Sequence, residues 1–158
     1  MNLPPPHSLE AEQAILGALI IDRDALRRIE GTIRPADFYD PANSLIFSVI
    51  QELSAKNAPV DIVTLPDELK NRNVIDKAGG TEYILQLATN TSSTANIEYY
   101  TSILIDRSLQ RQIIQSANQI LALDFSSTVP AEELLDQAEQ VVLSISENIK
   151  PMNFVHIR

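Results

Sequence analysis

From Ala95 to Leu123 the chain contains neither proline nor glycine, and nothing in that stretch breaks a helix. Two apolar stripes can be traced along it. Ile103, Ile114, Ala117 and Leu121 lie on one, and Ile105, Leu109, Ile113 and Ile120 lie about a third of a turn away. A helix resting on a single core needs one stripe. Two stripes predict packing on a sister helix and on something else. Asp124 to Thr128 reads as a turn, and Pro130 opens a final helix. In that helix Leu134, Ala138, Val141 and Ile145 form one stripe, with Leu135 and Val142 on its shoulder. Two long helices joined by a short turn predict an antiparallel helical hairpin.

The preceding residues also read as helices, but shorter ones. Pro4-Pro5-Pro6 is an extended lead-in. Ser8 is placed to cap a first helix, with Glu10 and Glu12 where the helix dipole favours anions. Leu26, Ile29 and Ile33 space a second helix after Asp22. Asp40-Pro41 starts a third, carried on by Leu45, Ile46, Val49, Ile50 and Leu53 and ended at Asn57-Ala58-Pro59. Thr64 with Asp67 suggests a capping box for a fourth, with Pro66 in its first turn. Gly79-Gly80 is a turn, after which Thr81 caps a fifth. The best strand candidate, Asp61-Ile62-Val63-Thr64, is too short to build a sheet. The expected fold is all-α: a compact multi-helix globular head at residues 9–92, preceded by a lead-in at 1–8 and followed by a long antiparallel hairpin at 93–148. Residues 149–158, with Lys150-Pro151 at their start, read as the beginning of a linker, and the chain looks cut there.

Composition narrows the chemistry. The net charge is −9, and no basic residue lies between Arg111 and Lys150. Phosphate backbones are gripped mainly through Lys and Arg, so tight direct binding of DNA is not expected. A local patch from Arg23, Arg27 and Arg28 is the alternative route to such binding. Without cysteine there is no disulfide framework, and no apolar run approaches the ~18 residues of a membrane span. Four glycines and no G-x-x-x-x-G-K-[ST] leave no cradle for nucleotide phosphates, so no ATPase is legible. His7 and His156 stand near opposite ends and read as solvated, not as a metal or nucleophile site. Glu132, Glu133, Asp136 and Glu139 alternate with the apolar stripe and should face water, which makes acid–base catalysis improbable. Tyr99-Tyr100 lacks neighbouring cations and is not a base-stacking platform; Tyr100 reads as core and Tyr99 as rim.

The order of local features resembles one family. Pro5-Pro6-His7-Ser8-Leu9-Glu10-Ala11-Glu12-Gln13 with Ile15-Leu16-Gly17 looks like the opening of DnaB-type replicative DNA helicases. So do Asp37-Phe38-Tyr39, Pro41-Ala42, Ile46-Phe47, and Pro59-Val60-Asp61-Ile62-Val63-Thr64. Gly79-Gly80 with Tyr83, Ala95-Asn96-Ile97-Glu98-Tyr99-Tyr100, and Leu134-Leu135-Asp136-Gln137-Ala138-Glu139 complete the series. The resemblance covers about residues 3–158. Asn43-Ser44, where many members carry a histidine, and Pro66 depart from it.

The resemblance implies the N-terminal collar domain of a replicative helicase, which assembles the ring as a trimer of dimers and docks primase through the primase C-terminal domain. It implies no catalytic residue, cofactor or metal in these residues. ATP and Mg would belong to a motor domain absent from this chain. By resemblance, Tyr83, Ile114 and Ile120 match positions linked to primase docking, and ordinary core packing explains the same residues equally well. Leu121, Leu135, Val142 and Leu143 are the expected hairpin-to-hairpin contacts; Leu143 lies opposite the main stripe of its helix. Expected partners are further copies of the chain, primase and a helicase loader, in the cytoplasm, with no membrane. A collar that guides single-stranded DNA is the competing reading.

Overall fold

A computed structural model describes residues 3–148, and among these there are seven α-helices, one 3-10 turn and no β-strand. The helices are α1 (Leu9–Ile21), α2 (Ala25–Ile29), α3 (Pro41–Ala55), α4 (Thr64–Asn71), α5 (Gly80–Thr89), α6 (Ile97–Leu121) and α7 (Ala131–Asn148). The chain divides into two compact units. One is His7–Ser108, and the other is Leu109 onward together with the N-terminal residues up to Pro6. The expected linker at 149–158, including His156, lies outside the described residues.

In the first unit, local chemistry sets the helix ends. The Ser8 hydroxyl accepts from the Ala11 N–H at 3.2 Å and starts α1, as its position predicts. The Asp40 carboxylate accepts from the Ala42 N–H at 3.1 Å, and Pro41 takes the first position of α3. Asn57 and Asn73 stop α3 and α4 in the left-handed conformation, with φ of 57° and 59°. At each stop an N–H reaches back five residues to a helix carbonyl: Ala58 to Leu53 and Val74 to Leu69, both at 2.9 Å.

Three expectations change here. The cap of α4 is a reciprocal pair one turn earlier than Thr64–Asp67. Asp61 Oδ1 accepts from the Val63 and Thr64 N–H groups at 2.8 Å, and Thr64 Oγ1 accepts from the Asp61 N–H at 3.0 Å. A short carboxylate beats a threonine hydroxyl as an acceptor of two amides. The same bonds turn residues 61–64 into a helix entry, not a strand. Thr81 lies inside α5 and not before it, because Gly79, at φ 94°, supplies the turn that starts the helix.

The core joins α1, α3, α4 and α5. Ile15, Leu16, Ile46, Phe47, Ile50, Leu65, Leu69 and Ile84 are all essentially buried. Burying side chains of this size stabilises by about 1.5–3 kcal/mol each. Helix α1 is buried nearly all round from Ile15 to Ile20, while Leu9 in its first turn is exposed. Ile97 and Leu104 carry the first turns of α6 into the same core. The Asp37 carboxylate is buried beneath them. It accepts from the Arg34 N–H and from the Ser108 hydroxyl of α6, each at 2.8 Å.

In the second unit, α6 continues without a break to Leu121, residues 122–130 form turns, and α7 follows. Leu134, Ala138, Val141 and Ile145 of α7 are half-buried, and Glu132, Glu133, Asp136 and Glu139 are exposed. This is the polarity expected of that helix. Arg111 donates to the Pro6 carbonyl at 2.8 Å and so anchors the proline lead-in.

Candidate functional site

Besides the Asp37–Ser108 pair, the first unit holds a buried polar network centred on Glu12. Glu12, on α1, is 1% exposed. Its Oε2 accepts from the Tyr39 N–H at 2.7 Å, and its Oε1 accepts from the Asp40 N–H at 3.3 Å and from Asn43 Nδ2 at 3.0 Å. Asn43 is itself fully buried, and its Oδ1 accepts the hydroxyl proton of Tyr83. The exposed Gln13 amide donates back to the Tyr83 oxygen at 3.5 Å, a weak contact. A buried carboxylate is costly unless its oxygens are satisfied. Here the start of α3 and Asn43 satisfy them, and the chain of bonds ends at Tyr83 on α5.

Tyr83 is half-buried, and the missing side chain of Gly79 leaves room for its ring. A Cβ at Gly79 would stand 2.8 Å from the Tyr83 ring. Burial, then the nearby Asp40 and Glu12 charges, push the phenol above its ordinary value, against the hydrogen bonds it makes with Gln13 and Asn43. Tyr83 lines an open groove of about 430 Å³ between α1, α5 and the start of α6. Gln13, Gln86, Asn90 and Asn96 present amides to it, and Glu10 is the one charged side chain on its wall among the described residues.

The basic patch proposed from sequence is divided. Arg28 donates to the Thr94 and Ala95 carbonyls at 3.0 and 3.2 Å and pairs with Glu98, so its guanidinium ties α2 to the start of α6. Arg27 meets Asp24 only at 3.9 Å, with both side chains exposed. His7 is not simply solvated: its ring stacks on Tyr39 with centroids 4.1 Å apart. Among the described residues no group of three His, Asp or Glu could hold a metal ion. No described helix is long and apolar enough to cross a membrane.

The second unit carries an apolar surface. Ile114, Leu121, Leu135, Val142 and Leu143 are between 47% and 75% exposed. Ile114 and Leu121 are seven residues apart, and so are Leu135 and Val142, so each pair shares one helix face. Ile120 stands about a third of a turn from Ile114 and is half-buried. Of the α6 positions singled out from sequence, Ile114 and Leu121 are exposed and Ile120 is half-buried. Sequence reasoning missed Phe125, an exposed aromatic in the turn; Ile113, placed on the second stripe of α6, is exposed beside Ile114. It also missed Glu12. A glutamate in a first turn reads as a dipole partner, and only tertiary packing shows it to be buried.

The likenesses to known proteins agree with this architecture. Residues 4–106 match the family described as DnaB-like helicase N terminal domain. The chain is 32% identical over 154 residues to the replicative DNA helicase DnaC of Bacillus subtilis, covering 98% of this chain and 34% of that protein. It is 38% identical over 143 residues to the replicative DNA helicase DnaB of Buchnera aphidicola, covering 90% of this chain and 31% of that protein. The chain therefore spans about a third of the length of the curated relatives it matches. Among solved structures, the N-terminal domain of DnaB helicase from Mycobacterium tuberculosis superposes with a TM-score of 0.82 at 29% identity, over 90% of this chain and 99% of that one. A DnaB-like replicative helicase, solved in a study of its interactions with primase, matches at a TM-score of 0.69 and 21% identity, over 91% of this chain and 32% of that one; it shares the fold. With residues 4–106 matched by the family and the same helical fold over 90% of its length, this chain belongs to the DnaB-like helicase N-terminal domain family.

Proposed function

We propose that this chain is the collar of a replicative DNA helicase, serving ring assembly and primase docking. The observation that carries the reading is the exposed apolar surface of the second unit. Leu121, Leu135, Val142 and Leu143 leave large apolar side chains in water on the last two helices. Contiguous exposed apolar surface marks an interaction face. In this reading α6 and α7 form an antiparallel hairpin, a second copy covers the Leu121–Leu135–Val142 face, and dimers close into a hexameric ring. Tyr83, Ile114 and Ile120 form the docking contacts for the primase C-terminal domain, in keeping with the helicase fold solved in the study of primase interactions. A loader is a further partner of the assembled ring. ATP and Mg act in a motor outside these 158 residues, at the replication fork in the cytoplasm. Direct guidance of single-stranded DNA is disfavoured by the −9 charge and by the engagement of Arg28.

Light scattering tests the assembly reading. Val142→Asp places a charge on the proposed contact and is expected to lower the mass at a concentration where the unaltered chain self-associates. An unchanged mass, with helicity intact, removes this interface.

A further inference from the structure

The Tyr83 groove has a fixed hydrogen-bond polarity. The N–H groups of Tyr39 and Asp40 can only donate, so they hold the Glu12 carboxylate as an acceptor. Glu12 Oε1 in turn draws Asn43 Nδ2 toward it, because the reversed amide would set two acceptors against each other. The amide oxygen is thereby aimed at Tyr83, whose proton is spent inward on it. What Tyr83 retains for a visitor is a lone pair, met only by the long Gln13 contact. Glu10, also an acceptor, stands on the same groove wall. No lysine or arginine lines the groove among the described residues.

Resting on the docking reading above, we infer that this groove receives a lysine or arginine side chain of the docking partner, with the Tyr83 hydroxyl oxygen and the Glu10 carboxylate as its acceptors. A cation is the donor that both groups favour, and an acidic chain attracts it from a distance. The buried Glu12 is then a positioning residue. It never touches the partner but dictates which way the surface hydroxyl faces.

Calorimetric titration with the C-terminal domain of the cognate primase tests this. Tyr83→Phe keeps the ring and removes the acceptor, and is expected to weaken binding about tenfold, the loss typical of one hydrogen bond to a charged group. Glu10→Gln is expected to weaken it several-fold. Glu12→Gln supplies an amide that lets Asn43 reverse, so that the Tyr83 proton turns outward. It should weaken binding in the unaltered chain and have no further effect in a chain already carrying Tyr83→Phe. A Glu12 that merely supports the fold would cost the same in both backgrounds, and that result overturns the relay. Equal affinity of Tyr83→Phe and the unaltered chain overturns the acceptor assignment while leaving docking intact. If the unaltered chain binds no primase domain, the docking reading fails. A short lysine-rich peptide then tests the groove chemistry by itself. It should shift the side-chain amide resonances of Gln13, Gln86 and Asn90, and less so with Tyr83→Phe. Unmoved resonances overturn the groove as a cation site.

Discussion

The hydroxyl of Thr91, just beyond the end of α5, fills the space that a side chain at Gly17 of α1 would need. A Cβ at Gly17 would run into Thr91 Oγ1 and the Leu87 carbonyl oxygen, which are bonded to one another at 2.8 Å. A side-chain hydroxyl and the backbone carbonyl that holds it are both in the way. Gly17→Ala is expected to destabilise the domain by about 1–3 kcal/mol, the range for overpacking a tight interior. Urea unfolding measures it. A midpoint equal to that of the unaltered chain would show that α1 and α5 do not approach this closely.

Thr101 predicts a gain. Its hydroxyl, on α6, is buried without a hydrogen-bond partner among the described residues. Such a group lacks the compensation that water gave it in the unfolded chain. Thr101→Val keeps the branched shape and removes the oxygen, and is expected to raise stability by about 1 kcal/mol. A lower thermal midpoint for this variant would mean that the hydroxyl has a partner after all.

Asp61 predicts a pH dependence. The N–H of Thr64, then that of Val63, hold its carboxyl below the ordinary value of 3.8, against a small cost of burial and with help from the Thr64 hydroxyl and Arg23. Asp22 is lowered in the same sense, first by the Asp24 N–H and then by the Thr94 hydroxyl. A carboxyl lowered on folding contributes stability that is complete above its ordinary value and disappears as pH falls through the lowered one. Stability should therefore hold level down to about 3.8 and fall below it. Asp61→Ala is expected to cost about 1 kcal/mol near neutral pH, as the loss of a helix cap does. That difference should close in acid, and one that persists to the acid end of a denaturation series would remove Asp61 from the account.

The helices were legible wherever apolar spacing met a capping residue, as at Ser8 and Asp40. They were misplaced by a few residues where two acceptors competed, as Asp61 and Thr64 do, or where a glycine could supply the turn before Thr81. The candidate contact residues divided in a similar way. Leu135, Val142 and Leu143 were readable as lying off the main stripe of α7, whereas Leu121 lies on a traced stripe of α6 and is exposed all the same. The Glu12–Asn43–Tyr83 network was not readable. Its members lie on α1, α3 and α5, far apart in the chain, and each alone has an ordinary local explanation. Asn43 stood out as a family departure, but only packing shows why its amide matters.

The run from Gln112 to Ile149 without a basic residue has a consequence for how assembly responds to ions. Glu132, Glu133, Asp136 and Glu139 ring the turns of α7 that carry Leu135. Two copies meeting through that helix bring like charges together, with no lysine or arginine on it to neutralise them. Added salt screens that repulsion and would tighten self-association, while loosening the capture of a cationic side chain beside Tyr83. Ionic strength would thus pull the two proposed surfaces in opposite directions, releasing the proposed cationic visitor under the same conditions that firm up the proposed self-association.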